Sequence, residues 1–206
     1  MSLKNCSKLI DLAYRYLGYR KINKSPEIDS LISECIAEIE SINSFKYIYQ
    51  EFDYIIDVLN KEPYLSYLNG AKSYYVAAMT LGSQIDKKIK YYSISNIIKM
   101  YVFDATSSAY LEYMSNEYEK TVFKNPAFRF CPGYGGSSIL DIRPLYEILN
   151  ASKIGIELTE SCLMLPQKSM IGIIKLGKSI KSCNNCIMEQ DCEYKKEGQE
   201  CYKKTE

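Results

Sequence analysis

"KIGIELTESCLMLPQKSMIGIIKL", residues 153–176, holds two β-like runs, "KIGIEL" and "SMIGIIKL", on either side of "TESCLMLPQK". Ile- and Leu-rich runs punctuated by glycine and proline read as strands, and their proximity predicts a two-stranded antiparallel unit with a long connection. What precedes them is mostly helical in period. Helices first and strands clustered later predict an α+β fold, with N-terminal helices followed by a small twisted antiparallel sheet packed on helices, rather than alternating βαβ units.

Working back along the chain, "DIRPLYEILNAS" (141–152) reads as a helix of at most three turns, and Phe128 to Phe130 as a short strand. Ser25-Pro26-Glu27 combines a cap, a proline suited to the first helical position and an acid suited to the helix dipole. Ile28, Leu31, Ile32, Cys35, Ile36 and Ile39 then recur on one helical face. Residues 3–17 predict a helix ending near Gly18. Residues 45–56 have the aromatic and β-branched content of a strand with imperfect alternation. "YYVAAMTLGSQIDKKIKYY" (74–92) reads as helical, and a further helix is predicted from Ser95 to Lys120. Its small residues Ala105, Ser107, Ser108 and Ala109 permit close approach by another element or a ligand.

The sequence of 206 residues fits one domain with appendages. We divide it into a body, residues 1–176, and a cysteine-rich tail, residues 177–206. With 26 basic and 25 acidic residues there is no net field to draw in nucleic acid or an anionic bilayer. No apolar run approaches the roughly 20 residues needed to span a membrane, and charges interrupt the N-terminus, so a cytoplasmic protein with reduced thiols is expected. Histidine is absent, which removes the commonest general base and the commonest metal ligand. Chemistry must then rest on carboxylates, thiolates, tyrosines or a ligand's own reactive group.

"RFCPGYGG" (129–136) sets a strong cation against permissive backbone. Gly133, Gly135 and Gly136 allow positive φ and let main-chain amides approach a ligand, while Pro132 biases Cys131 toward an extended conformation. Arg129 at the mouth of the loop would offer a planar fork suited to a carboxylate or phosphate. The spacing matches neither the dinucleotide fingerprint nor the P-loop. The alternative is a tight strand-to-helix turn with a surface arginine.

The series Arg129, Pro132, Gly133, Tyr134, then Leu158-Thr159-Glu160-Ser161, Met164, Pro166, Ser169 and Gly172 resembles the activation (reactivation) domain of cobalamin-dependent methionine synthase, and the N-terminal "YRYLGYR" (14–20) is similar to the stand-alone, single-domain members of that family. Gly82, Asp86, Asp104 and Glu112 extend the resemblance upstream, so that it covers about residues 70–176. It implies a domain that binds S-adenosylmethionine and offers its methyl group to a cobalamin held by a partner methionine synthase or other corrinoid protein, while an electron donor reduces the cobalt. Carried over, the binding residues are Arg129, for the ligand carboxylate, with Cys131, Gly133 and Tyr134 around the nucleoside, and Glu160 as a ligand-orienting or network residue. No catalytic protein base is implied, because reduced cobalt is the nucleophile and a neutral thioether leaves. The corrinoid must be carried by the partner, since a chain without histidine has no Asp-x-His-x-x-Gly lower-ligand motif. Two family elements lack counterparts here: the acidic residue before a Trp-Thr-Pro element, and the paired tyrosines shortly after Ser-x-x-Gly.

In the tail, Cys183, Cys186, Cys192 and Cys201 form C-x2-C-x5-C-x8-C. Four close thiolates make a complete ligand set for zinc or an iron-sulfur cluster, and spacing alone does not separate the two. Incidental thiols on a charged tail are the alternative. A second function follows from the same residues: a metal-cluster interaction or electron-transfer module that has the fold but does not bind S-adenosylmethionine. Cys6 and Cys35, on helices, are expected to pack in the core.

Overall fold

The computed structural model describes residues 3–19 and 24–176. In chain order the elements are helices α1 (Leu3–Tyr16) and α2 (Pro26–Ile42), strand β1 (Lys46–Phe52), short helix α3 (Tyr64–Leu68), strand β2 (Tyr74–Thr80), helices α4 (Ser83–Ser95), α5 (Ile97–Val122) and α6 (Ile142–Leu149), and strands β3 (Glu157–Leu158), β4 (Met164–Leu165) and β5 (Ser169–Lys175). The fold is α+β, as the residue patterns predict.

The strand pairing differs from expectation. β1, β2 and β5 form one antiparallel sheet with β2 in the centre. Ser169 lies opposite Thr80 and Lys175 opposite Tyr74, so the second run of the 153–176 stretch pairs with β2 and not with the first run. The first run has little extended length to offer. Ala151–Ile154 is a 3-10 turn, Gly155 follows at φ 83°, and only Glu157–Leu158 is left to pair with Met164–Leu165 in a separate two-residue ribbon.

The segment read as helix from Tyr74 is thus a strand up to Thr80, and the helix begins at Ser83. The physical reason is burial on both faces. Six of the seven β2 residues are buried, with Tyr75 half-buried, so no polar alternation marks the strand, and Ala77, Ala78 and Met79 favour a helical reading. Phe128–Phe130 forms only one isolated bridge, Phe130 exchanging two 2.8 Å backbone hydrogen bonds with Ile173.

Each face of the sheet carries its own core. Ala77, Met79 and Ile174 join the apolar faces of α1, α2, α4 and α5, where Leu9, Ile32, Ile39, Ile85 and Phe103 are fully buried. Val76, Ala78, Ile171 and Ile173 on the opposite face pack against α3 and α6 through Tyr64, Leu68, Leu145 and Leu149. Fully burying an aliphatic side chain contributes about 1.5–3 kcal/mol. The face expected for α2 is confirmed, with Ile32, Cys35, Ile36 and Ile39 buried and Ile28 and Leu31 partly so. Burial also pushes the Cys35 thiol up to about 12, consistent with a packing role. Among the described residues, no helix is long and apolar enough to cross a membrane.

Candidate functional site

The backbone after Ala127 runs extended beside β5, and alternation along it puts Arg129 and Cys131 on the same side. That side is the α5 face of the sheet. There the missing side chain of Gly172 leaves a gap, into which the Arg129 stem and the Cys131 sulfur settle; a Cβ on Gly172 would come within 2.5 Å of Arg129 Cγ and 3.1 Å of Cys131 Sγ. The sequence places Arg129 at the loop mouth, but the structure turns its side chain inward, leaving it 5% exposed.

Inside, the guanidinium meets α5. Its Nη1 donates to the Glu119 carboxylate, Nη2 reaches Asn116 Oδ1 at 3.4 Å and Nε reaches Met170 Sδ at 3.3 Å. The Tyr47 hydroxyl, from β1, donates to the same Glu119 oxygen at 3.0 Å. Burial pushes the Glu119 carboxyl above the usual carboxylate range, with Arg129 and Tyr47 opposing. At Arg129 burial, the largest single influence, disfavours the cation, but the charge and hydrogen bond of Glu119 together with its other neighbours outweigh it, and the group is held above its ordinary value. Burial likewise raises the Cys131 thiol to about 11, against the pull of Arg129. That thiol is neutral and unreactive at physiological pH.

Above this pair sits a more open layer. Tyr16, at the end of α1, donates to Glu112 Oε2 at 2.6 Å across 96 residues of sequence. Burial and the Glu112 charge raise the Tyr16 hydroxyl's pKa, and Tyr134 and Arg129 are close enough to act on it as well. The Tyr134 ring is 76% exposed. The glycine loop folds on itself: the Gly133 amide donates to Ser137 Oγ at 3.1 Å, and that hydroxyl donates to the Tyr134 carbonyl at 2.7 Å. Gly133 needs its φ of 88°, and a Cβ there would also strike Ile139 Cδ1 at 2.9 Å.

The structure therefore gathers Arg129, Cys131, Gly133 and Tyr134, and adds Glu112, Glu119, Asn116, Tyr16 and Tyr47, which the sequence reading did not assign together. The sequence signal for Glu119 is one of two acids near the end of a helix, indistinguishable in the sequence from its solvated neighbour Glu117. Glu160 is placed elsewhere. It is exposed in the β3–β4 turn, where its carbonyl and that of Thr159 accept from Arg143 of α6, at 3.2 and 2.8 Å.

Of the upstream motif residues, Glu112 joins the site, whereas Gly82, Asp86 and Asp104 serve a separate corner. Asp86 Oδ2 accepts from the Gln167 amide at 2.8 Å, Lys168 Nζ meets Asp104 Oδ1 and Ser108 Oγ at 2.8 Å each, and Ser169 Oγ donates to Thr80 Oγ1 at 2.8 Å. Gly82, at φ 85°, lies where a Cβ would come within 2.2 Å of Ser44 Oγ. The small residues of mid-α5 thus admit Lys168, a structural use. Among the described residues no group of three or more Cys, Asp or Glu side chains could hold a metal ion, and Cys183, Cys186, Cys192 and Cys201 lie outside them.

No protein-family model matches the chain, and no curated protein sequence matches it. Among solved structures, it is similar to the MetH reactivation domain crystallised with AdoHcy, at 15% identity over 97% of this chain and 84% of that one, with a TM-score of 0.59. Likeness at that identity speaks for architecture: this chain has the fold of that reactivation domain.

Proposed function

We propose that the protein is a S-adenosylmethionine-binding module for reductive methylation of a cobalamin held by a partner methionine synthase or other corrinoid protein. The observation that carries the reading is the cluster around Arg129 on a fold shared with an AdoHcy-bound domain. The donor set fits such a ligand. A guanidinium suits its carboxylate, the Glu112 carboxylate beside Tyr16 suits its cationic end, and the exposed Tyr134 ring suits a purine or sulfonium. Arg129, Cys131, Gly133 and Tyr134 would hold the ligand; Glu160 belongs to the same proposal through the loop packed on α6.

When bound, S-adenosylmethionine supplies the methyl group, and a reduced corrinoid on the partner is its acceptor. The chain's own task is positioning. Orientation of two reactants can supply several kcal/mol without any protein base, which a chain lacking histidine can meet. Calorimetric titration with S-adenosylmethionine should give binding heat at ligand concentrations up to the millimolar range. Tyr134→Ala, at an exposed position that leaves the core intact, should weaken binding about tenfold, the worth of one stacking or cation–π contact. No heat from the unmodified protein removes this reading and leaves the metal-cluster interaction or electron-transfer module.

The tail, residues 177–206, is proposed as a second unit in which Cys183, Cys186, Cys192 and Cys201 bind zinc or an iron-sulfur cluster. An iron cluster would assist the electron donor that the reaction needs. Anaerobically purified full-length protein should carry stoichiometric zinc, or iron with absorption near ~400 nm from thiolate ligation. Cys183→Ser with Cys186→Ser should lose it. Neither metal enriched in the unmodified protein would end the idea.

A further inference from the structure

The geometry points to Glu119 as an internal competitor for Arg129: a ligand carboxylate and the Glu119 carboxylate contend for one buried guanidinium, so Glu119 sets the affinity for carboxylate-bearing nucleosides over those without one. The inference rests on the methyl-donor reading above and goes beyond it, since that reading assigns Glu119 no role.

A bidentate grip on a carboxylate needs two parallel N–H groups along one edge of the guanidinium. Here every nitrogen is already directed at a protein atom. Nη1 faces Glu119, Nη2 faces Asn116 at 3.4 Å, and Nε faces Met170 Sδ at 3.3 Å. The last two are weak contacts, one long and one to a thioether, and yield easily. The contact with Glu119 does not. Both side chains are buried, 5% and 4% exposed, and the Tyr47 hydroxyl donates to the same carboxylate oxygen.

Two carboxylates on one guanidinium repel each other in a site of low polarity, so entry of the second at the weakly held Nε–Nη2 edge loosens the hold on the first. Glu119 lies at the C-terminal end of α5, three residues before Val122. A side-chain rotation there, with Tyr47 following, frees the edge of the fork without moving the sheet. The ligand's observed affinity is then its intrinsic affinity reduced by the fraction of molecules in which the fork is free.

AdoHcy and 5′-methylthioadenosine, which keeps the nucleoside and thioether but lacks the amino-acid end, separate the contributions. In the unmodified protein the two should bind within about threefold of each other, because the carboxylate contact is offset by loss of the Glu119 contact. In Glu119→Gln, which keeps the acceptor oxygen but not the charge, AdoHcy should bind at least tenfold tighter and methylthioadenosine unchanged. If Glu119→Gln does not fold, Glu119→Asp, which withdraws the carboxylate by one methylene, should show the same selective gain. An unmodified protein that already prefers AdoHcy a hundredfold, or a variant that binds AdoHcy no better, overturns the competitor while the methyl-donor reading stands. Binding of neither nucleoside overturns both.

Discussion

Arg129→Met should lower the melting temperature by about 10 °C, and Glu119→Leu by a similar amount, whereas the double variant should recover most of the loss. Each single change leaves one buried charge without its partner, which costs about 3–5 kcal/mol; for a body of this size each kcal/mol is worth about 2–4 °C. The side chains are 5% and 4% exposed, so solvent cannot take over the missing role. Removing both charges in favour of apolar groups of similar length costs the half-buried Tyr47 and Asn116 one partner each but leaves no orphaned ion. The coupling energy from the four proteins should therefore be large.

The pH dependence gives a second readout of the same contact. Burial raises the Glu119 carboxyl in the folded state, and Arg129 opposes that rise, as does the Tyr47 hydroxyl, while Glu112 adds to it. Without the guanidinium the folded value moves further above the unfolded one. A carboxyl raised on folding contributes stability that is fully present below the unfolded value, about 4.3, and is lost as pH rises through the folded value. The deficit of Arg129→Met should consequently shrink toward acid, and that of Glu119→Leu should not. Single variants costing under about 1 kcal/mol, with no pH trend, would show that the pair is solvated and not the anchor of the site.

How much of this was legible depended on whether burial left a trace in the pattern. α2 announced itself because one face is wet: Ile32, Cys35, Ile36 and Ile39 stand out against its acids. β2 did not, because both of its faces are dry and its small residues carry no period. That single strand decided the topology, since it separates β1 from β5 and takes the partner expected of residues 153–158. At the site, Arg129 and the glycine loop could be picked out from residue chemistry, but the direction of the arginine could not. Its inward turn is set by alternation along an extended segment over Gly172, and its partner comes from a helix that ends well before it in sequence. Tyr16 and Glu112 lie 96 residues apart, and only the packing of α1 on α5 brings them together.

Gly172→Ala tests the remaining premise, that the gap in the sheet places the guanidinium. The added Cβ would sit 2.5 Å from Arg129 Cγ, 2.8 Å from Cδ and 3.1 Å from Cys131 Sγ. Those carbons are not a free end: the guanidinium beyond them is held by Glu119 and the backbone behind them by the bridge to Ile173. Overpacking of this kind costs about 1–3 kcal/mol, offset by a few tenths to 1 kcal/mol from the reduced freedom of the unfolded chain. The net loss should be about 1–2 kcal/mol. AdoHcy affinity should fall by about threefold, to that of methylthioadenosine, because a displaced fork forfeits the net carboxylate contribution, while methylthioadenosine should bind as before. Combining Gly172→Ala with Arg129→Ala should remove most of the steric part, since Arg129 Cγ and Cδ are gone and only Cys131 Sγ is left to meet the new Cβ; the combined loss should then be smaller than the sum of the separate ones. Full additivity, or a Gly172→Ala protein with unchanged melting and unchanged affinity, would show that the arginine stem shifts at no cost and that its position is fixed by α5 alone.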